Sequence, residues 1–141
     1  LGTAGCLSLL KKKNILDPII VVNGDVLTDM NYRQLIDYHN KSKKLITICA
    51  AIYDIQIPFG TIELDEDKLA NIVEKPIKKY LINAGIYIIN PVLLNDLQDN
   101  TAINMTDIIE NNIKNKSVGI FPIHEQWLDI GNHKDYEKTQ K

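Results

Sequence analysis

The sequence predicts an α/β domain: a mixed, mostly parallel sheet with flanking helices and one antiparallel hairpin insertion. Three observations carry this reading. Apolar, largely β-branched runs at 19–22, 45–53, 81–89 and 118–123 have the texture of buried strands. Between them apolar residues recur at helical spacing, as with Tyr32, Leu35, Ile36 and His39 at i, i+3, i+4 and i+7. The alternation breaks once, where two short strand-like stretches, 60–64 and 69–74, flank Asp65-Glu66-Asp67. No repeat, linker or low-complexity segment divides the 141 residues, so 1–141 is read as a single domain.

The elements follow in order. Thr3 is placed to cap a helix reaching about Lys13, with Leu7, Leu9 and Leu10 on its buried side. Asp17-Pro18 breaks the chain before the first strand. Asp29 stands two or three residues ahead of the next helical stretch and suits its N-cap. Pro91 opens a helix running to about Leu97. Thr106 is placed to cap another, with Ile108, Ile109 and Ile113 inward. Residues 127–131 read as an irregular connection, followed by a polar, helical tail.

Bulk composition narrows the function. Hydrophobic residues make up 45% and charged residues 24%, the balance of an ordinary globule. A net charge of -2 and a pI near 5.9 argue against a phosphate-backbone binder, so no nucleic-acid partner is expected. Lys11-Lys12-Lys13 and Lys43-Lys44 read as solvated surface. A chain of this size buries roughly 68–70% of its unfolded surface, enough to fold without a disulfide or metal staple. Cys6 and Cys49 lack C-x-x-C spacing and sit among apolar neighbours, as buried free thiols would in a reducing cytoplasm. No apolar run approaches the ~20 residues that span a bilayer, so no membrane partner is expected. The chain starts on Leu1 rather than Met, already inside a glycine-rich turn, as though cut from something longer.

One strand ends in an unexpected place. The apolar run 19–22 stops on Asn23-Gly24-Asp25. In open α/β sheets ligands bind beyond the carboxyl ends of strands, where Asp25 falls. Gly24 allows a sharp turn and close approach of a ligand. An unpaired carboxylate at such an edge costs several kcal/mol unless it is neutralised, and hard oxygen ligands suit Mg²⁺. The alternative is a turn aspartate capping the following helix, a role Asp29 fills better. Asp129 has the same setting, after an apolar strand and before Ile130-Gly131. Two such carboxylates at ~5 Å and an effective dielectric near 20 repel by about 3 kcal/mol, which a shared metal converts into a binding site. The alternative for Asp129 is a loop acid bonded to nearby backbone amides.

Six short motifs follow one another along nearly the whole chain: LGTAG (1–5), VVNGD (21–25), PFGTIELD (58–65), IVEKP (72–76), NAGIYIINP (83–91) and WLDIG (127–131). In that order, each on its expected element, they resemble the sugar-phosphate nucleotidylyltransferases, and most of all the mannose-1-phosphate guanylyltransferase branch and its heptose and glucosamine relatives, with thymidylyl-, uridylyl- and cytidylyl-transferases left open. The resemblance implies a Rossmann-like nucleotidyltransferase core. It also implies an activity: a nucleoside monophosphate passes from a nucleoside triphosphate, with GTP favoured, to a sugar 1-phosphate, and pyrophosphate leaves. By the same resemblance Leu1, Gly2 and Gly5 pack against nucleobase and ribose, and Asp25 and Asp129 hold the catalytic Mg²⁺. Gly60 lets the sugar lie against backbone, Glu74 accepts sugar hydroxyls, Lys75 reaches the sugar phosphate, and Asn83 and Gly85 line the sugar pocket. A phosphate nucleophile needs no general base, so His39, His124 and His133 carry no chemistry; His39 completes a helix face. Trp127 reads as a core or sheet-edge aromatic.

The chain departs from that family in one respect. The glycine-rich loop with an arginine, followed by a proline and a lysine, is not found in 1–141, and Arg33, the sole arginine, lies on a predicted helix. The N-terminal half is thus expected to be incomplete, the piece inactive alone and prone to associate with itself, as a homo-oligomer, or with its missing partner. Two other classes compete. A non-catalytic sugar-nucleotide-binding or regulatory module would have no use for both Asp25 and Asp129. A nucleotide-sugar-dependent glycosyltransferase usually carries a D-x-D metal motif, and here Asp65-Glu66-Asp67 falls in a hairpin turn.

Overall fold

Residues 2–98 and 101–131 are described by the computed structural model. They run through β1 (Ile19–Val22), β2 (Val26–Thr28), α1 (Tyr32–Ser42), β3 (Ile46–Gln56), β4 (Thr61–Asp65), β5 (Lys68–Val73), β6 (Ile77–Ile89), α2 (Met105–Ile113), β7 (Val118–Pro122) and β8 (Trp127–Asp129). Two 3-10 helices, Gly5–Lys13 and Pro91–Asp96, complete the order. Leu1, His133 and the tail expected to be helical lie outside the described residues.

The main sheet has the order β1-β6-β3-β7. β6 is antiparallel to both β1 and β3, while β3 and β7 are parallel. β1, β3 and β7 therefore point the same way and β6 opposes them: the sheet is mixed, as expected, but not mostly parallel in its pairing, because β6 lies between β1 and β3 and leaves β3–β7 as its one parallel ladder. Both faces are covered over the inner parts of β3 and β6, which explains their apolar runs, whereas the edge strands are less buried than expected, with Ile20 and Val22 of β1 and Ile120 of β7 exposed. Tyr87 and Ile89 of β6 pack with Ile46, Leu93, Met105 and Ile108 on one side. Ile86 and Ile88 pack with Leu35, Cys49 and Ile123 on the other.

The N-terminal helix differs from its expected form. As a 3-10 helix it repeats every three residues, so Ala4, Leu7 and Leu10 line up against the core. Cys6 and Leu9 rotate outward and are exposed, contrary to the buried thiol and buried leucine expected there. One local bond and one long-range bond accompany the tighter coil: Ser8 Oγ donates to the Gly5 carbonyl at 2.8 Å, and the Ala4 N–H donates to the Ile103 carbonyl at 2.9 Å. Thr3 does not cap this helix. Its Oγ1 accepts the Met105 N–H at 3.0 Å, at the start of α2.

Other caps shift by a few residues. Asn31, not Asp29, caps α1, its Oδ1 accepting from the Arg33 and Gln34 amides at 3.0 and 3.3 Å. The Asp29 N–H is engaged by the Gln126 carbonyl instead. α2 starts after Asn104, whose N–H donates to Asp107 Oδ2 at 2.9 Å; Thr106 lies inside the first turn, and Ile113 is exposed. Asn90 caps the 3-10 helix that Pro91 opens, accepting from Val92 N–H at 3.0 Å.

Cys49 is buried as expected, and burial pushes its thiol up to about 12. His39 completes the inner face of α1, with 3% of its surface exposed and Nδ1 2.8 Å from Thr47 Oγ1. Burial lowers its pKa below the ordinary 6.5, so the fold prefers the neutral ring. As pH falls through the unfolded value, the unfolded chain takes up a proton that the fold resists, and stability declines. Urea unfolding at pH 7.5 and 5.0 is expected to show this loss, and His39→Gln to show less of it. Equal losses in both proteins would remove His39 from the account.

Candidate active site

The turn after β1 is anchored on β6. Asn23 N–H donates to the Gly85 carbonyl at 2.8 Å, and Val26 N–H returns to the Asn23 carbonyl at 3.3 Å. Gly24 is not held as glycine by its backbone: its φ is not left-handed, and nothing lies within 4 Å of where a Cβ would stand. The sharp turn expected to need it does not. The space beside it is open.

Residues 127–131, expected to be irregular, instead begin with a strand. β8 pairs antiparallel with β2, Val26 opposite Asp129 and Thr28 opposite Trp127. The Ile130 N–H continues the ladder to the Asp25 carbonyl at 2.8 Å. This short ladder brings together two acids far apart in sequence. A Cβ on Gly131 would stand 2.9 Å from Asp129 Oδ1 and 3.3 Å from Asp25 Oδ2. The two oxygens are thus no farther apart than those distances added, and both face one small cradle that glycine leaves open. Gly131 N–H donates to Asp129 Oδ1 at 2.9 Å, so the backbone-bonded loop acid weighed for Asp129 is also present. Both carboxylates are exposed, and among the described residues neither is paired with a cation.

The donor set fits Mg²⁺. That ion commonly takes one or two carboxylates, keeps several waters and completes its shell with phosphate oxygens. A closed structural metal site would need more protein ligands, and no group of three or more acid, His or Cys side chains gathers among the described residues.

β6 organises what surrounds the pair. Its register with β3 shifts between Ile48 and Ala50, which face Tyr87 and Asn83. Gly85 lies in this bulge at φ +70, and the Asn23 side chain occupies the space a Cβ would take, with Nδ2 at 2.7 Å. Asn83 Oδ1 accepts the Gly85 N–H at 3.1 Å, and its Nδ2 donates to the Tyr87 hydroxyl at 2.9 Å. Trp127 is half-buried against the core, as a sheet-edge aromatic should be, and its Nε1–H donates to the Ala84 carbonyl at 2.9 Å.

A second group of site residues sits elsewhere. Glu74 Oε2 is 3.0 Å from where a Gly60 Cβ would stand, and the Lys75 N–H donates to the Phe59 carbonyl at 3.2 Å, with Lys75 at φ 45. The group occupies the distal end of the β3–β6 ribbon, beyond the Gln56–Ile77 pair, whereas Asn83 faces Ala50 at its base. Six strand residues separate those rungs, about 20 Å of strand path. Gly2 and Gly5 belong to the N-terminal turn. Gly2, at φ +71, is pressed against the Ile103 carbonyl, and Gly5 is buried.

The family model described as Nucleotidyl transferase matches residues 1–141. The chain belongs to that family. It is 34% identical over 143 residues to the mannose-1-phosphate guanyltransferase of Debaryomyces hansenii, covering 96% of this chain and 40% of that protein. With the mannose-1-phosphate guanyltransferase of Kluyveromyces lactis the identity is 35% over 147 residues, again 96% of this chain and 40% of the relative. The chain therefore spans about two fifths of the length of these relatives. Among solved structures it is similar to HddC from Yersinia pseudotuberculosis complexed with GMP-PN, at 25% identity and a TM-score of 0.66, covering 98% of this chain and 60% of that one.

In this nucleotidyl transferase chain the fold joins VVNGD, NAGIY and WLDIG around the acid pair and leaves FGTIE and EKP together at the ribbon's end. Asn23 and Gly131 take part without having been assigned a role from sequence. The signal for Gly131 was its place two residues after an acid, where a Cβ would fall among carboxylate oxygens. No helix among the described residues is long and apolar enough to cross a membrane.

Proposed function

We propose that this chain supplies the metal site and sugar-phosphate pocket of a cytoplasmic enzyme that transfers a nucleoside monophosphate from a nucleoside triphosphate, GTP favoured, to a sugar 1-phosphate. The observation that carries the reading is the convergence of Asp25 and Asp129 on the Gly131 cradle. The names of the mannose-1-phosphate guanyltransferase relatives support the substrate class. Asp25 and Asp129 would hold a Mg²⁺ there, and the ion would supply charge neutralisation at the α-phosphate. Asn83 and Glu74 offer acceptors to sugar hydroxyls, and the open space at Gly24 allows backbone to approach the ligand, while the space beside Gly85 is taken by Asn23 and that beside Gly60 by Glu74. The turn containing Gly2 and Gly5 meets nucleobase and ribose. Lys75 binds the sugar phosphate as a compact cation. Lys75 comes to that role from the far end of the β3–β6 ribbon, beyond the Gln56–Ile77 pair.

Calorimetry with mannose 1-phosphate, GTP and GDP-mannose, each with and without Mg²⁺, tests the reading. Sugar-phosphate binding that strengthens with Mg²⁺ is expected, and binding indifferent to the ion would count against the acid pair as its seat. These 141 residues contain no counterpart of the glycine-rich arginine loop, so the chain alone is expected to show no robust nucleotidyl transfer with any pair of triphosphate and sugar 1-phosphate. Turnover by the purified chain would overturn that.

Self-association belongs to the same proposal. Ile62, Leu64, Leu69 and Ile72 form one apolar face of the β4–β5 hairpin, and each is more than half exposed. Alternating strands of this kind normally cover their apolar side. Light scattering is expected to find dimers or larger species, and a clean monomer at high concentration would refute the expectation.

A further inference from the structure

The Asn83 carboxamide is tied at both ends, to the Gly85 amide through Oδ1 and to the Tyr87 hydroxyl through Nδ2. The first tie is a local consequence of the bulge. The second reaches from an exposed side chain to a phenol that is 3% exposed and packed with Ile46, Ile89 and Leu93. The tie to Gly85 decides which end of the amide is oxygen, because a backbone N–H needs an acceptor there. The tie to Tyr87 then stops the amide from swinging. What remains to offer is one N–H and one oxygen lone pair. A sugar hydroxyl both donates and accepts, so this pairing matches it only in a fixed orientation. Burial raises the Tyr87 pKa, partly offset by the Asn83 hydrogen bond, so the hydroxyl keeps its proton at neutral pH.

We propose that Tyr87 is a positioning residue: from the core it orients Asn83, and through Asn83 it sets how the pocket reads the hydroxyl pattern of a sugar 1-phosphate. This rests on the sugar-pocket reading above. Tyr87→Phe keeps the ring and its packing and deletes the hydroxyl alone. Mannose 1-phosphate and glucose 1-phosphate are titrated, with Mg²⁺, into the wild type, Y87F, N83A and the double variant. Y87F is expected to bind the preferred sugar phosphate roughly threefold to tenfold more weakly, the effect of one lost hydrogen bond. Its discrimination between the two sugars is expected to narrow. In the N83A background the Tyr87 change is expected to add nothing, because it acts through Asn83. A purely structural tyrosine would alter unfolding stability and leave both affinities alone. Equal affinities in wild type and Y87F, or losses that simply add in the double variant, overturn the Tyr87 role alone. A wild type that binds neither sugar phosphate overturns the pocket reading and the inference with it, and is told apart by needing no variant.

Discussion

Replacing Asp25 or Asp129 with asparagine is expected to weaken Mg²⁺ or Mn²⁺ binding by on the order of tenfold or more each, since ligand charge sets affinity at such sites, and replacing both to abolish it. Asparagine keeps the size and one oxygen of the side chain but removes the charge. The same change should leave the apo fold unharmed or slightly steadier. The two carboxylates face one point above Gly131 without a cation among the described residues. Their repulsion is at most about 3 kcal/mol at an effective dielectric near 20, and less for exposed groups. Opposite signs on metal affinity and on stability are therefore the signature. A pair that served only to bond backbone would show the reverse, because Asp129 Oδ1 accepts the Gly131 N–H. Titration calorimetry or Mn²⁺ resonance, set beside urea unfolding, reads both quantities on the same variants. Two single variants with wild-type affinity would end the assignment. Gly131→Ala approaches the site from the other side: its Cβ would stand 2.9 Å from Asp129 Oδ1, so metal binding should fall although both acids remain.

The features legible in the sequence are those that repeat. The buried inner parts of β3 and β6 and an amphipathic α1 announce themselves over many residues, and the acids at strand ends stand out, whereas the short run 19–22 looked buried on both faces and is a part-exposed edge strand. Features set by one or two residues, or by distant pairing, did not show. β8 is three residues long, too short for a period of two to be seen, and its partner β2 lies about a hundred positions away. Yet that ladder is what unites Asp25 and Asp129, so the site's central contact was inferred from motif order rather than from any local pattern. The caps failed for another reason. Asp29 and Asn31, like Asn104 and Thr106, are neighbours with the same capping chemistry, and which one serves depends on where the backbone leaves the helical region. Cys6 and Leu9 were misplaced because their helix repeats every 3.0 residues rather than 3.6, which turns a different stripe inward. The distance between EKP and the acid pair could not be read at all. Spacing along the chain does not say whether residues 77–83 fold back or, as here, continue as strand.

Gly85→Ala is expected to destabilise the fold by about 2–3 kcal/mol, of which the left-handed backbone accounts for roughly 1–2 kcal/mol. The remainder comes from crowding. A Cβ at φ +70 would stand 2.7 Å from Asn23 Nδ2 and 3.1 Å from Val26 Cγ2, inside a bulge that also bonds Asn83 and receives the Asn23 amide. Asn23 must move to make room, and Asp25 follows two residues later, so metal affinity should decline together with stability. Two controls isolate the cause. Gly24→Ala places its Cβ in open space with no left-handed φ, and should be neutral or slightly stabilising because the unfolded chain loses freedom. Gly60→Ala meets Glu74 Oε2 at 3.0 Å, the far end of a flexible side chain that can swing away, and should change stability little. Urea unfolding of the three variants should therefore place Gly85→Ala well below the other two. If all three unfold alike, the bulge at Gly85 does not set the backbone there, and the link from NAGIY to the acid pair is broken.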